Sequence, residues 1–112
     1  MNNPVEKLGL ATVIRVQGRL DVITSPEFEQ QCSGLLAQGE KLLVADLGAV
    51  AYVSSAGLRS VLATAKKLKA VQGKLALCGL QPMVEQVFLL SGFSSFIPIC
   101  KTLDEAIAEV GK

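Results

Sequence analysis

Apolar and polar positions along the chain switch between two periods, close to 2 for strands and close to 3.6 for helices. Residues 12–17, "TVIRVQ", alternate loosely and are rich in β-branched side chains, which predicts a strand. A weaker strand is expected over Val5–Leu8, with Gly9 in the turn between the two. "GRLD" follows, and then "TSPEFEQQCSGLLAQG" moves to helical spacing. Ser25 reads as its N-cap and Pro26 as its first helical residue, with acids in the first turn. Phe28, Cys32, Leu35 and Leu36 share one face, and Gly39 is the expected stop. "KLLVADL" is a short unbroken apolar run, the pattern of a strand covered on both faces. Beyond it, "AYVSSAGLRSVL" opens a helix to about Val71. Its apolar stripe is Leu58, Val61, Leu62, Ala65 and Leu68, while Arg59, Ser60, Lys66 and Lys67 point elsewhere.

The remainder keeps alternating. "KLALCGL" predicts a buried strand after Gly73, and "QPMVEQVFLLSG" a helix with Pro82 near its start and Gly92 past its end. "FIPIC" is a short strand that Pro98 confines to an edge or a strand end. Thr102 and Glu105 form a capping box that starts a last helix, "TLDEAIAEV". The order β-β-α-β-α-β-α-β-α has no repeat and no linker, so one α/β domain is expected over residues 1–112. The first strand pair is joined by a short turn and should be antiparallel; the other strands should be parallel. The expectation is a mixed, mostly parallel sheet of four to five strands with about four helices.

Composition narrows the chemistry. Half of the 112 residues are apolar and 19% are charged, enough for a sizeable core. Eleven basic and ten acidic side chains give a net charge of +1, which argues against a nucleic-acid partner and against an acidic carrier domain. The chain has no His, and with it go the commonest general base and metal ligand. Three widely spaced cysteines, Cys32, Cys78 and Cys100, make no C-x-x-C pair and no even-numbered disulfide frame. They read as small buried hydrophobes in a reducing compartment. Met1–Lys7 lacks a signal-type apolar core, and no apolar stretch reaches the ~20 residues of a membrane span. A cytoplasmic location is expected.

Several catalytic motifs are missing. Val53 stands where a G-x-S-x-G elbow needs its first glycine, and neither a P-loop nor a G-x-G-x-x-G is present. Asp21, Asp46, Asp104, Glu27, Glu85 and Glu105 are scattered over element ends and read as caps or surface charges. No enzymatic activity and no obligatory cofactor are expected. Ser54 and Ser55 raise a different question. One serine before an apolar helix is explained as an N-cap, but there are two. They also sit at the carboxyl end of the third predicted strand, where open α/β sheets place ligand sites. Ala56 and Gly57 add almost no bulk, so the helix start should be open to a partner, and close approach is a reason for Gly57.

The segment "DLGAVAYVSSAGLRSVLATAKKLKAVQGKLALCGL", with "GRLD" before it and the "P…V…F…SGF" helix after it, resembles the core of a STAS domain. That is the family of bacterial anti-sigma-factor antagonists, and the resemblance covers nearly the whole chain in order. It implies that Ser55, two places before the glycine, is phosphorylated by a partner that is both kinase and anti-sigma factor. It implies a partner-binding rim of Asp21, Thr24, Ser54, Ala56 and Gly57, with Arg59, Ser60, Ala63 and Lys66 as the exposed flank of the helix; by residue type alone Asp21 and Thr24 read equally well as a turn residue and a helix-start residue. A phosphatase would reset the switch, and the kinase would bring ATP and magnesium. The family often has Asp where this chain has Ser54. Rival readings keep the fold but make the chain a non-phosphorylated subunit of a signalling scaffold or lipid-transport complex. Others have it bind or slowly hydrolyse a nucleotide near Asp21 and Ser55, or carry a prosthetic group on Ser55.

Overall fold

The computed structural model describes residues 3–112. The elements run β1 Val5–Leu8, β2 Ala11–Leu20, α1 Ser25–Ala37, β3 Leu42–Val53, α2 Ser55–Ala70, β4 Lys74–Cys78, α3 Pro82–Ser91, β5 Ile99–Cys100 and α4 Leu103–Val110. The sheet order is β1-β2-β3-β4-β5, with β1 antiparallel to β2 and every later pair parallel.

That order decides where the helices go. Each parallel step is a β-α-β crossover in the same direction across the sheet, and such crossovers are right-handed, so α1, α2 and α3 must share one face. Phe28 and Cys32 of α1, Val61 and Leu68 of α2, and Val84 and Phe88 of α3 pack there with Ile14, Leu43, Leu47 and Leu77 of the strands. α4 has no strand after it and closes the other face. Its Ala106 and Val110 meet Ala11, Val13, Val44, Ala76 and Cys78, a thinner layer built mostly from small residues. Burial pushes the Cys32 and Cys78 thiols up to about 12, so both stay protonated as core side chains.

Three expectations need correction. First, the predicted strand "KLLVADL" continues as far as Val53, because its second half still pairs with the end of β2 beyond the last residue of β4. Second, "FIPIC" forms strand only at Ile99–Cys100; residues 93–95 are a single 3₁₀ turn, and Pro98 contributes only its carbonyl, which accepts from Leu77 N–H at 2.8 Å. Third, Ser25 does not cap α1. Thr24 holds that position without a side-chain cap, and Ser25 is buried with its Oγ lacking a partner. No helix among the described residues is long and apolar enough to cross a membrane.

Candidate functional site

The long arms of β2 and β3 run past the body of the sheet and carry the site at their carboxyl ends. Arg19 pairs with Tyr52 and Leu20 with Val53, and Ser54 N–H then donates to Leu20 O at 2.8 Å. This places the β2–α1 loop, residues 21–24, beside the two serines.

Ser54 and Ser55 divide the labour. Ser54 has extended backbone at the N-cap of α2, and its Oγ accepts from Gly57 N–H at 3.2 Å. Ser55 is the first residue of the helix and is exposed. Among the described residues its hydroxyl has no hydrogen-bond partner. The amides of Ser55 and Ala56 have no intrahelical acceptor, as at any helix start. The first turn holds no acidic residue, while Lys67 and Lys69 lie in the last, so the positive end of the dipole is not neutralised by the helix itself.

The neighbouring loop is a rigid turn. Asp21 Oδ1 accepts from Ile23 N–H at 2.9 Å and Thr24 N–H at 3.0 Å, and Asp21 Oδ2 pairs with Arg19 Nε at 2.8 Å. Thr24 Oγ1 accepts from Asp21 N–H and donates to Arg19 O at 2.8 Å. The Thr24 amide above all, helped by the Ile23 amide, the Thr24 hydroxyl and Arg19, holds the Asp21 carboxyl below the usual carboxylate range. Asp21 and Thr24 therefore shape the loop from within. What the loop offers outward is Val22 and Ile23, 72% and 74% exposed. Tyr52, in register with Arg19 at the end of β3, is half exposed, with the Arg19 guanidinium 5.3 Å from its ring centre.

Ala56 and Arg59 line a groove of about 550 Å³ between α1 and α2, which Val22, Glu29 and Lys67 also border. Arg59 is exposed four residues after Ser55, one turn along the same face, and has no carboxylate partner among the described residues. Ala63 is half-buried, and Lys66 is exposed a further two turns along.

Two members of the expected rim face inward. Ser60 is 2% exposed, and its Oγ donates to Glu29 Oε1 at 2.8 Å across the contact with α1, with Ser25 O 3.4 Å away. Thr64 Oγ1 donates to Ser60 O at 2.9 Å. The α1 side of α2 is thus buried through small polar residues, which a stripe drawn from apolar positions alone could not include. Gly57 is also buried. A Cβ there would stand 2.5 Å from Leu20 O and 2.9 Å from Leu20 Cβ, so its close approach is to β2 and not to a partner. Val22, Ile23, Arg19 and Tyr52 lie outside the rim expected from the sequence. The signal available was a pair of large β-branched residues inside a turn, "DVITSP", where a core position is hard to reach.

The described residues contain no group of three or more side chains suited to holding a metal ion. The arrangement presents an exposed hydroxyl, Ser55 Oγ, at the free amides of a 16-residue helix, near exposed Val22, Ile23 and Arg59.

Comparison with known proteins agrees with this geometry. BtrV of Bordetella bronchiseptica, named as a candidate anti-sigma factor antagonist, is 38% identical over 96% of this chain and 93% of its own. The crystal structure of an anti-sigma factor antagonist from Mycobacterium paratuberculosis superposes with a TM-score of 0.89 at 31% identity, covering 99% of this chain and 94% of that one. SpoIIAA, an anti-sigma factor antagonist, matches in its unphosphorylated form with a TM-score of 0.82 at 27% identity, covering 97% of this chain and 96% of that one. The phosphorylated form from Bacillus matches at 0.74 and 26%, covering 96% and 98%. The STAS domain pattern itself matches residues 3–106. With five strands in this order, four helices and a serine pair at the start of α2, the chain belongs to the STAS domain family.

Proposed function

We propose that this chain is an anti-sigma-factor antagonist whose binding to a partner, at once serine kinase and anti-sigma factor, is switched off by phosphorylation of Ser55. The observation that carries the reading is the division between the serines. Ser54 is committed to the cap of α2, and Ser55 is exposed and uncommitted one residue later. SpoIIAA, which shares the fold, exists in unphosphorylated and phosphorylated forms.

Phosphate on Ser55 adds about −1.5 to −2 charges and three acceptor oxygens. The free amides, the helix dipole and Arg59 one turn away stabilise it, so the domain stays folded when modified. A partner closed over Ala56, Val22, Ile23 and Tyr52 would have to bury that dianion. A loss of about 2.8 kcal/mol would weaken the complex ~100-fold, enough to exchange partners. The chain is then a regulator and not a catalyst.

The test is kinase-dependent phosphate incorporation into wild type, Ser54→Ala and Ser55→Ala, using the kinase that co-purifies from the native host. Wild type and Ser54→Ala should take up one phosphate, about 80 Da by intact mass, and Ser55→Ala none. Uptake by Ser55→Ala with loss in Ser54→Ala would move the acceptor to Ser54. No uptake in any variant would favour a constitutive STAS subunit.

A further inference from the structure

At the opposite end of the sheet from Ser55 lies a cleft of about 630 Å³, a size typical of small-molecule sites. The end of α2, the start of β4, the segment before β5 and the end of α4 enclose it. Leu75, Phe96, Pro98 and Val110 give it an apolar floor and wall. Leu75 and Val110 are buried core residues, whereas the Phe96 ring is 55% exposed at the mouth. The ring meets that of Phe93, their centres 5.9 Å apart.

Three ammonium groups border this apolar surface, those of Lys66, Lys69 and Lys74. Lys66 and Lys69 have no acidic or hydrogen-bonding partner among the described residues, and Lys74 Nζ donates to the Lys112 main-chain oxygen at 2.6 Å. Glu109, the acid on the wall, is already paired with Lys112 at 3.3 Å. The dipole of α2 accounts for Lys69 in its last turn, but not for Lys66 before that turn or Lys74 on another element. An apolar cavity edged by two unpartnered cations, Lys66 and Lys69, and by Lys74, whose ammonium is held beside it by the Lys112 oxygen, matches an anion with an apolar tail. From the convergence of Lys66, Lys69 and Lys74 on this cleft, we propose that it binds an anionic amphiphile, its tail against Leu75, Phe96 and Val110 and its head among the lysines. Lys66 is eleven residues from Ser55, roughly 16 Å along the helix. The proposal therefore does not rest on the phosphorylation reading.

The experiment is a ¹H–¹⁵N correlation titration with decanoate, decyl phosphate, 1-decanol and decyltrimethylammonium. Decanoate and decyl phosphate should shift the amides of Gly73, Leu75 and Val110, with the tighter of the two naming the head group. The alcohol and the ammonium should bind at least ~10-fold more weakly. Lys66→Glu/Lys69→Glu should weaken decanoate binding at least ~10-fold, and Lys66→Gln/Lys69→Gln by less, both with dispersed native spectra. Equal binding of the alcohol, unchanged affinity in the charge-reversed variant, or shifts centred on Val22 and Ile23 would overturn the assignment.

Discussion

Replacing Gly57 by alanine probes the joint that aims Ser55. On helix propensity alone the change should help, since Ala exceeds Gly by about 0.8–1 kcal/mol in a helix interior. The structure predicts the opposite sign. The new Cβ would lie 2.5 Å from Leu20 O, 2.9 Å from Leu20 Cβ and 3.0 Å from Leu20 C. Two of those atoms are backbone of the strand end that also accepts from Ser54 N–H, so neither can swing aside cheaply. Overpacking of this kind costs about 1–3 kcal/mol. Gly34 is the internal control. It is in α1, exposed, with nothing within 4 Å of an added Cβ, so Gly34→Ala should show the propensity gain alone. Propensity largely cancels between the two variants, and their difference reports the clash. Urea unfolding measures it. With a slope of about 1–3 kcal/mol/M, the midpoints should differ by on the order of 1 M, Gly34→Ala above wild type and Gly57→Ala below. If Gly57→Ala were as stable as Gly34→Ala, the packing of α2 on β2 described above would be wrong.

Arg59→Glu should leave stability within about 0.5 kcal/mol of wild type, since the side chain is exposed and unpaired. It should still weaken kinase binding in a pull-down; unchanged affinity would place the interface off the start of α2. Asp21 predicts an acid response. Its folded pKa lies below the ordinary value near 3.9, so its contribution to the loop is complete above that value and is lost as pH falls through the folded pKa. An NMR titration should find the Asp21 midpoint below ~3.9, with the Ile23 and Thr24 amides moving in step; a midpoint at or above it would contradict the turn.

Periodicity and punctuation located nearly every element because local signals agreed with the fold. Val5–Leu8, the Thr102–Glu105 capping box and Gly92 as the stop of α3 stand where the residues place them. The extension of β3 through "GAVAYV" was not legible, because its partner is the far end of β2 and pairing between distant segments leaves no local mark. Ser54 as the cap was readable from residue type. The inward turn of Ser60 and Thr64 was not, because burying a hydroxyl depends on an acceptor from another helix, here Glu29 for Ser60. The small size of Gly57 marks a close approach, but nothing local says that the neighbour is Leu20 of β2 and not a partner. Family likeness points to Asp21 and Thr24 as neighbours of Ser55 and residue type points to a turn; the hydrogen bonds favour the turn, a frame that presents Val22 and Ile23.

If a phosphate on Ser55 decides binding, the dissociation constant for the co-purified kinase must change when the chain is stoichiometrically phosphorylated. Affinity should fall ~100-fold or more, with amide spectra of the free phosphorylated chain changed near residues 54–59 and native elsewhere. Ser55→Asp, carrying one charge at the same amides, should show a smaller loss in the same direction. Equal affinity of the phosphorylated and unphosphorylated chains would contradict the switch.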